Sequence, residues 1–161
     1  MPGPAARSID PKPRTRPAVK RPQVELGVLN ERLGYFVRRL QVWVFQDFIR
    51  RLSRLDLSPA QFSVIVVVGA NPGLSQAQLA GTLGIERARL VRLLHRLEQR
   101  GLTERRPSAA DGRRHALVLT RAGEKMLAEA TKLAELHEDG LKQKLGARQY
   151  RTLLDMLRSL A

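Results

Sequence analysis

A series of arginines lies on one face of a helix predicted from Glu86 to Arg100. Leucines recur there at the three- and four-residue spacing of an amphipathic helix, with Leu90, Leu97 and either Leu93 or Leu94 facing inward. The outward positions are Arg87, Arg89, Arg92, Arg96 and Arg100. A guanidinium group donates paired hydrogen bonds to a phosphate or to the O6 and N7 atoms of guanine. The spacing therefore indicates a surface for nucleic acid, and a merely solvated basic face is the alternative.

A shorter helix precedes this one and is joined to it by a tight turn. Ser75 and Gln78 have the spacing of a capping box, which satisfies the free amide groups of a helix start. Gly84 supplies the backbone freedom that the turn needs, and Ile85 is expected to pack against the core. Two helices joined in this way form a helix-turn-helix, whose second helix presents its N-terminal residues to base edges. The residues at that end are Arg87, Arg89 and, next along the chain, Arg92.

A hairpin is expected after this helix, which Gly101 ends. Leu102–Arg106 and Ala116–Leu119 have the character of strands, and the loop between them is rich in arginine. Arg113 lies near the tip, where a side chain can enter a narrow, electronegative minor groove. Asp111 could orient Arg113 by a local contact, or it could serve only to form the turn.

The segment that starts at Ser58 is predicted to be a helix. Ser58, Pro59 and Gln61 have the pattern of a capped first turn. A strand is the local alternative, because Val64–Val68 consists of β-branched residues, which form helices poorly. The cap favours the helix, and Asn71-Pro72-Gly73 is expected to end it.

Residues 24 to about 55 are predicted to form one long helix with apolar side chains on two sides. Tyr35, Arg39 and Trp43 are spaced one turn apart, so they can touch in sequence along one face. The simpler interpretation is local stacking of Arg39 on its aromatic neighbours. The alternative is a site for an aromatic ligand with negative charge, since such a ligand needs both rings and a cation. The candidate effector-binding residues are Tyr35, Arg38, Arg39, Trp43 and, from the next helix, Phe62.

Two more helices are predicted, from Thr120 to about Asp139 and over residues 147–160. Their apolar faces, like that of the first helix, are too extensive for one small chain to cover. We therefore expect these helices to intertwine with those of a second copy. A two-fold dimer would also set two recognition helices about 34 Å apart, one turn of DNA. The candidate dimerisation residues are Leu29, Leu33, Tyr150, Leu153 and Leu157.

The composition narrows the classes of function. Lys and Arg number 29 against 15 Asp and Glu, and the formal charge of +14 favours polyanionic partners such as nucleic acid or an anionic membrane surface. The sequence has no cysteine, no apolar run of the roughly 20 residues that a membrane span needs, and no apolar signal core at its N-terminus. These features predict a soluble cytoplasmic protein.

The sequence has no pattern typical of catalysis or metal binding. The histidines, His95, His115 and His137, have no nucleophile and base arranged near them, and there is no glycine-rich phosphate loop and no metal-ligand spacing. We expect neither enzymatic activity nor a bound cofactor or metal. The helix-turn-helix, the hairpin and the outward arginines together predict a DNA-binding regulator. A sequence-neutral architectural DNA-binding protein is the alternative, because phosphate contacts need no particular base sequence.

These patterns divide the chain into parts. Residues 1–23, rich in proline and cations, are predicted to be a disordered basic tail that is either solvated or adds phosphate contacts. Residues 24–57 and 121–161 are predicted to be dimerisation helices, and residues 58–120 a winged helix-turn-helix DNA-binding domain. The expected fold is mainly α with a small β-hairpin, in an intertwined homodimer.

Three segments resemble the MarR family of bacterial transcription regulators: LSQAQLAGTLGI, RLEQRGLTERR and DGRRHALVLTRAG. The most specific residues are Asp111 and Arg113 in the wing, followed by Leu119, Thr120 and Gly123. The resemblance covers roughly residues 26–161. It implies a winged helix-turn-helix homodimer that binds double-stranded DNA at a pseudo-palindromic operator. Most members are repressors, and a small anionic aromatic ligand releases them.

By position, the resemblance assigns Arg87, Arg89 and Arg92 to the major groove and Arg113 to the minor groove. It assigns Ser75 and Gln76 to backbone phosphate. The full set of candidate DNA-binding residues is Ser75, Gln76, Arg87, Arg89, Arg92, Arg96, Arg113 and Arg114.

Two residues depart from the family pattern. Val91 stands where many members have a hydroxyl residue, so the phosphate contact of that hydroxyl is not expected here. His95 stands where many have an acid; it could report pH, or it could be a satisfied, partly buried histidine.

A narrower resemblance concerns LGYFVRRLQVWVFQDF, from Leu33 to Phe48. It is similar to the first helix of MarR-type repressors that control hydroxycinnamate degradation and respond to a coenzyme A thioester such as p-coumaroyl-CoA. The aromatic side chains suit the acyl group, and Arg38 and Arg39 suit the phosphates. The same features fit simple aromatic carboxylates.

Overall fold

The structure is a computed structural model and describes residues 24–107 and 115–160. The predicted basic tail at 1–23 and the predicted wing tip, with Asp111, Arg113 and Arg114, lie outside the described residues. The described elements are α1 (Leu33–Leu52), α2 (Pro59–Ala70), α3 (Gln76–Leu83), α4 (Arg87–Gln99), β1 (Thr103–Pro107), β2 (His115–Leu119), α5 (Arg121–Leu145) and α6 (Ala147–Leu160). Two short 3-10 turns, Gly27–Glu31 and Ser53–Leu55, flank α1.

The N-terminal helix is shorter than predicted. The single helix expected over residues 24 to 55 is interrupted before Leu33, because Gly27 has a φ of +53° and Arg32 adopts an extended conformation with φ −106° and ψ 111°. At the other end, Asp56 takes a left-handed conformation with φ +50°, which stops the 3-10 turn that follows α1. The prediction of one continuous helix was therefore wrong at its start, whereas its predicted end at about residue 55 agrees with the end of the 3-10 turn at Leu55.

Helix α5 is longer than predicted. Gly140, expected to end it, lies inside the helix, and α5 continues to Leu145 before Gly146 turns the chain with a φ of +83°. A glycine inside a helix costs only about 1 kcal/mol relative to alanine, so it does not stop a helix that packs against its neighbours.

The predicted helix starts are confirmed. Ser58 and Gln61 form a reciprocal capping box, as do Ser75 and Gln78, so the β-branched segment of α2 is helical. Gly84 adopts a left-handed conformation with φ +60° between α3 and α4. These caps are local, and they set the positions at which α2 and α3 begin.

The core lies where α2, α4, the hairpin and α5 meet. Its fully buried side chains are Leu52, Ile65, Leu79, Leu90, Leu94, Leu97, Leu117, Val64 and Val68. Strands β1 and β2 pair antiparallel, with Thr103 opposite Leu119 and Pro107 opposite His115. The backbone of Leu117 also bonds with Leu74, just before α3. The hairpin is thereby tied to the helix-turn-helix.

Candidate nucleic-acid interface and effector cleft

Helix α4 turns its leucines into the core and its arginines outward. Leu90, Leu93, Leu94 and Leu97 are all buried, whereas Arg87, Arg89, Arg92 and Arg96 are exposed. None of these four arginines forms an ion pair with another of the described residues. The guanidinium groups are therefore available for an anionic partner.

Arg100 does not belong to this surface. Its side chain is half-buried and donates hydrogen bonds to the backbone carbonyl oxygens of Asp56 and Leu55, at 2.5 and 2.9 Å. The expectation that Arg100 faces outward with the other arginines was wrong, because its guanidinium group binds the carbonyl oxygens of the segment that follows α1. Its role is to join the end of α4 to the segment between α1 and α2.

The start of α3 lies beside the start of α4. Gln76 and Ala77 border a small depression of about 280 Å³ together with Arg87, Leu90 and Val91. The Ser75 side chain is engaged in the cap: its oxygen accepts a hydrogen bond from the Gln78 amide at 3.3 Å and lies 2.9 Å from Gln78 Oε1.

The base of the wing is joined to α5. The Thr120 amide donates to the Leu102 carbonyl at 3.1 Å, and the Thr120 hydroxyl donates to the Gly101 carbonyl at 2.5 Å. The same hydroxyl oxygen accepts from the Gly123 amide at 3.0 Å and so caps α5. Arg105 pairs with Glu98 on α4 at 2.7 Å. The orientation of the hairpin is thus set from two sides.

A cleft of about 720 Å³ separates α1 from the recognition helix α4. Phe45 and Phe48 of α1 contribute aromatic rings to it, and Arg89, Arg92 and Arg96 of α4 contribute cations. The remaining lining residues are Gln41, Ser58, Pro59, Ala60, Ser63 and Leu93. The cleft therefore combines apolar and cationic groups on facing helices, which suits an aromatic anion.

The predicted effector residues are not all gathered in this cleft. Arg39 donates to the Tyr35 hydroxyl at 3.4 Å and lies 5.8 Å from the centre of that ring, so the local stacking is present. The Trp43 ring faces Lys144 of α5 at 5.4 Å. By helical periodicity these residues lie on a different side of α1 from Phe45 and Phe48.

Arg38 and Phe62 lie closer to the cleft. Arg38 precedes Gln41 by three residues and Phe45 by seven, which puts it on the same side of α1 as these lining residues. The Phe62 ring packs edge-on against Phe48, with centroids 5.4 Å apart.

Phe45, Phe48 and Gln41 were missed by the sequence analysis. The aromatic content of this helix was the available signal, but it did not distinguish the side that faces α4.

A polar cluster fixes α1 to α5 behind the cleft. Asp47 accepts hydrogen bonds from Arg51 at 2.6 Å and from Arg50 at 2.5 Å, and lies 3.0 Å from Nδ1 of the buried His137. The hydrogen bonds with Arg51, then His137 and Arg50, hold the pKa of the Asp47 carboxyl well below its usual range. The His137 ring stacks on Phe48 with centroids 5.1 Å apart, so the cluster also supports a wall of the cleft.

Apolar side chains remain exposed near both ends of the described chain. Leu29, Leu33 and Leu157 are exposed, with Leu33 at 78%, while Tyr150 and Leu153 are half-buried. Tyr150 donates a hydrogen bond to Glu138, which joins α6 to α5 and raises the pKa of the Tyr150 hydroxyl. Uncovered apolar surface of this kind is typical of an interaction face.

Membrane-spanning helices and metal-binding clusters are both absent from the residues that the structure describes. No helix among them is long and apolar enough to cross a membrane. Likewise, residues 24–107 and 115–160 contain no group of three His, Cys, Asp or Glu side chains that could hold a metal ion.

Helices α3 and α4 and the hairpin β1–β2, with the arginine-covered face of α4, define a winged helix-turn-helix protein. The sequence profile of the MarR family matches residues 55–114. The transcriptional regulatory protein for the hcr operon of Thauera aromatica is 30% identical over 135 residues, 83% of this chain and 81% of that protein. The chain belongs to the MarR family and is a transcriptional repressor of that type.

Solved structures of the transcriptional repressor CouR are similar over most of this chain. CouR bound to a 23-mer DNA duplex is 45% identical, with a TM-score of 0.81, over 86% of this chain and 98% of that chain. CouR bound to p-coumaroyl-CoA is 43% identical, with a TM-score of 0.78, over 86% of this chain and 97% of that chain. The predicted mainly α fold with a small hairpin is confirmed. The prediction that the chain is not an enzyme is also confirmed, because the family consists of transcription regulators.

Proposed function

We propose that this repressor binds a pseudo-palindromic operator as a homodimer and leaves it when an aromatic acyl-CoA of the p-coumaroyl-CoA type binds. The observation that carries the proposal is the cleft between α1 and α4, where Phe45 and Phe48 face Arg89, Arg92 and Arg96. Effector and DNA would then compete for the same arginines. The complexes of CouR with DNA and with p-coumaroyl-CoA support this choice of partners.

On the DNA side, the N-terminal end of α4 enters the major groove. Arg87 and Arg89 contact base edges, and Arg92 and Arg96 follow along the groove. Ser75 and Gln76 at the start of α3 contact backbone phosphate, where the helix dipole favours an anion. Arg113 enters the minor groove from the wing, and Arg114 adds a phosphate contact. The exposure of the α4 arginines supports the major-groove part of this assignment.

The homodimer forms through residues 24–57 and 121–161. The exposed Leu29, Leu33 and Leu157 support this interface, because in a single chain they contact water. Tyr150 and Leu153 of α6 extend the same surface. Two-fold pairing presents two copies of α4 to successive turns of the major groove. A sequence-neutral DNA-binding protein does not require two recognition helices at this fixed spacing.

On the effector side, the aromatic acyl group lies against Phe45 and Phe48. The phosphates of the coenzyme A portion reach the arginines of α4, with Arg38 at the edge of α1. A cleft of about 720 Å³ falls within the range of small-molecule sites, roughly 300–1,000 Å³. Because an arginine of α4 that is bound to a phosphate of the effector cannot contact DNA at the same time, binding of one partner weakens binding of the other.

Fluorescence anisotropy of a labelled duplex tests the proposal. The duplex carries the DNA upstream of the gene, and the full chain is titrated to saturation before p-coumaroyl-CoA, p-coumarate or coenzyme A is added. Release by the thioester alone is the expected result. Release by the free acid assigns the response to the aromatic carboxylate, and an unchanged complex with all three compounds contradicts an effector of this class.

A matched pair of variants tests the location of the effector. Phe45 and Trp43 are aromatic residues of α1 with similar exposure, 41% and 37%, on different sides of the helix. Phe45→Ala is expected to raise the concentration of p-coumaroyl-CoA that releases DNA at least tenfold. Trp43→Ala is expected to change it much less. The reverse order would assign the effector to the ridge of Tyr35, Arg39 and Trp43.

A further inference from the structure

An apolar patch interrupts the basic surface of the recognition helix. Val91 exposes 46% of its surface on α4, between the exposed Arg87 and Arg92. It borders the depression of about 280 Å³ at the start of α3 and α4. Exposure of an aliphatic side chain to water is unfavourable. A contact between Val91 and an apolar group of a bound partner would therefore stabilise the complex.

The depression has an apolar interior and a polar rim. Leu90, which exposes only 1% of its surface, lies beneath, and Ala77 and Val91 form its apolar walls. Arg87 lies one helical turn before Val91, and Gln76 borders the depression from α3. This is the end of α4 that enters the major groove in the proposed complex.

Among the base edges in the major groove, the C5-methyl group of thymine is the apolar one. A methyl group is small enough for the depression, and the neighbouring Arg87 suits the O6 and N7 atoms of a guanine. Val91 has no hydrogen-bonding group in its side chain, so it cannot bind phosphate. The surrounding arginines direct the depression towards DNA rather than towards an apolar protein surface.

We propose that Val91, together with Ala77, reads the C5-methyl group of one thymine in each half-site, beside a guanine read by Arg87. This inference rests on the proposed operator binding and specifies one of its base contacts. Burial of one methyl group changes an equilibrium constant about fourfold, so loss of the symmetric pair of methyl groups is expected to weaken binding about fifteenfold.

Deoxyuridine provides the test, because it pairs like thymine but lacks the methyl group. Duplexes that bind the full chain are first selected from a random library, and each symmetric pair of thymines is then replaced by deoxyuridine. Dissociation constants are measured by anisotropy for the unsubstituted protein, for Val91→Ala and for Arg87→Ala. Circular dichroism checks that each variant keeps its helices.

The unsubstituted protein is expected to lose about fifteenfold in affinity at one symmetric pair of positions. Val91→Ala is expected to bind the thymine duplex and the duplex with deoxyuridine at that pair of positions with nearly equal affinity. Arg87→Ala is expected to bind both duplexes more weakly. The ratio of its two dissociation constants should equal that of the unsubstituted protein, because the methyl contact remains in place.

Two results overturn the thymine contact while leaving operator binding intact. One is an unsubstituted protein that tolerates deoxyuridine at every position. The other is a loss that persists undiminished in Val91→Ala, because the methyl group would then be read by another residue. A protein that enriches no duplex contradicts operator binding itself, and with it this contact.

Discussion

Gly123 allows the wing and α5 to pack closely, and replacing it with alanine should separate them. A Cβ atom built on Gly123 lies 1.9 Å from the carbonyl oxygen of Leu102 and 3.3 Å from Cβ of Leu119. The first contact is with backbone, so rotation of a side chain cannot relieve it. The Leu102 carbonyl also accepts the hydrogen bond of the Thr120 amide. The segment before β1 must therefore move away from α5.

The expected cost follows from that displacement. Overpacking of a close contact costs about 1–3 kcal/mol, and the backbone position of this contact favours the upper end. Loss of the Thr120 to Leu102 hydrogen bond adds about 1 kcal/mol. Gly123→Ala is thus expected to lower the free energy of unfolding by about 3–4 kcal/mol, or Tm by about 10 °C for a chain of this size.

Thermal unfolding followed by circular dichroism measures this loss, at one fixed protomer concentration because the dimer equilibrium contributes to Tm. Gly81→Ala is the matched control: Gly81 lies within α3, and a Cβ atom there has no heavy atom within 4 Å. The control is expected to gain about 0.5–1 kcal/mol, since alanine is the better helix former. A free energy of unfolding for Gly123→Ala within about 1 kcal/mol of that of the unsubstituted protein would mean that the Leu102 carbonyl does not limit the packing of α5.

Three other substitutions have defined outcomes. Asp47→Ala leaves His137 and Arg51 without their partner and should cost about 1–3 kcal/mol at neutral pH in thermal unfolding. Because the pKa of Asp47 is lowered in the folded state, this stabilisation is present above the unfolded pKa of about 4 and should fade as the pH falls below it; a difference that stays constant to pH 2 would contradict the assignment. Ser75→Ala removes the cap of α3 and should cost about 1 kcal/mol, as measured by denaturant unfolding; an unchanged midpoint would exclude the cap as a source of stability. Arg89→Ala should weaken binding to a selected duplex by about 1–3 kcal/mol and relax the base preference at one position of each half-site in anisotropy titrations, whereas an unchanged base preference would remove Arg89 from the base-reading surface.

Local features of the fold could be predicted from sequence. A capping box involves residues three positions apart, so Ser58 with Gln61 and Ser75 with Gln78 marked the starts of α2 and α3 correctly. The leucines of α4 recur every three or four residues, and this local spacing identified the buried face of the helix. In each case the interaction that decides the structure lies within one or two helical turns.

Helix ends were harder to predict, because a glycine can end a helix at one position and continue it at another. Gly27 and Gly146 adopt positive φ angles at the ends of elements, whereas Gly140 continues α5. The choice depends on whether the following turn packs against another element, and α6 packs against α5 through Tyr150 and Glu138. Sequence spacing alone does not contain that contact.

The cleft depends on tertiary geometry. Its two walls come from α1 and α4, so the proximity of Phe45 to Arg92 follows from how the helices cross and not from their spacing. The sequence instead singled out Tyr35, Arg39 and Trp43, whose spacing along one helix is visible. Arg100 illustrates the same limit, since the carbonyls of Leu55 and Asp56 that it binds are distant in sequence.

Calorimetry can show whether effector and operator compete for the arginines of α4. Titration of p-coumaroyl-CoA into the free protein and into its complex with a selected operator duplex gives two dissociation constants. Competition would make binding of p-coumaroyl-CoA at least tenfold weaker in the complex, and would lower operator affinity by an equal factor in the presence of the effector, because coupling is reciprocal. Equal affinity of p-coumaroyl-CoA for the free protein and the complex would contradict it.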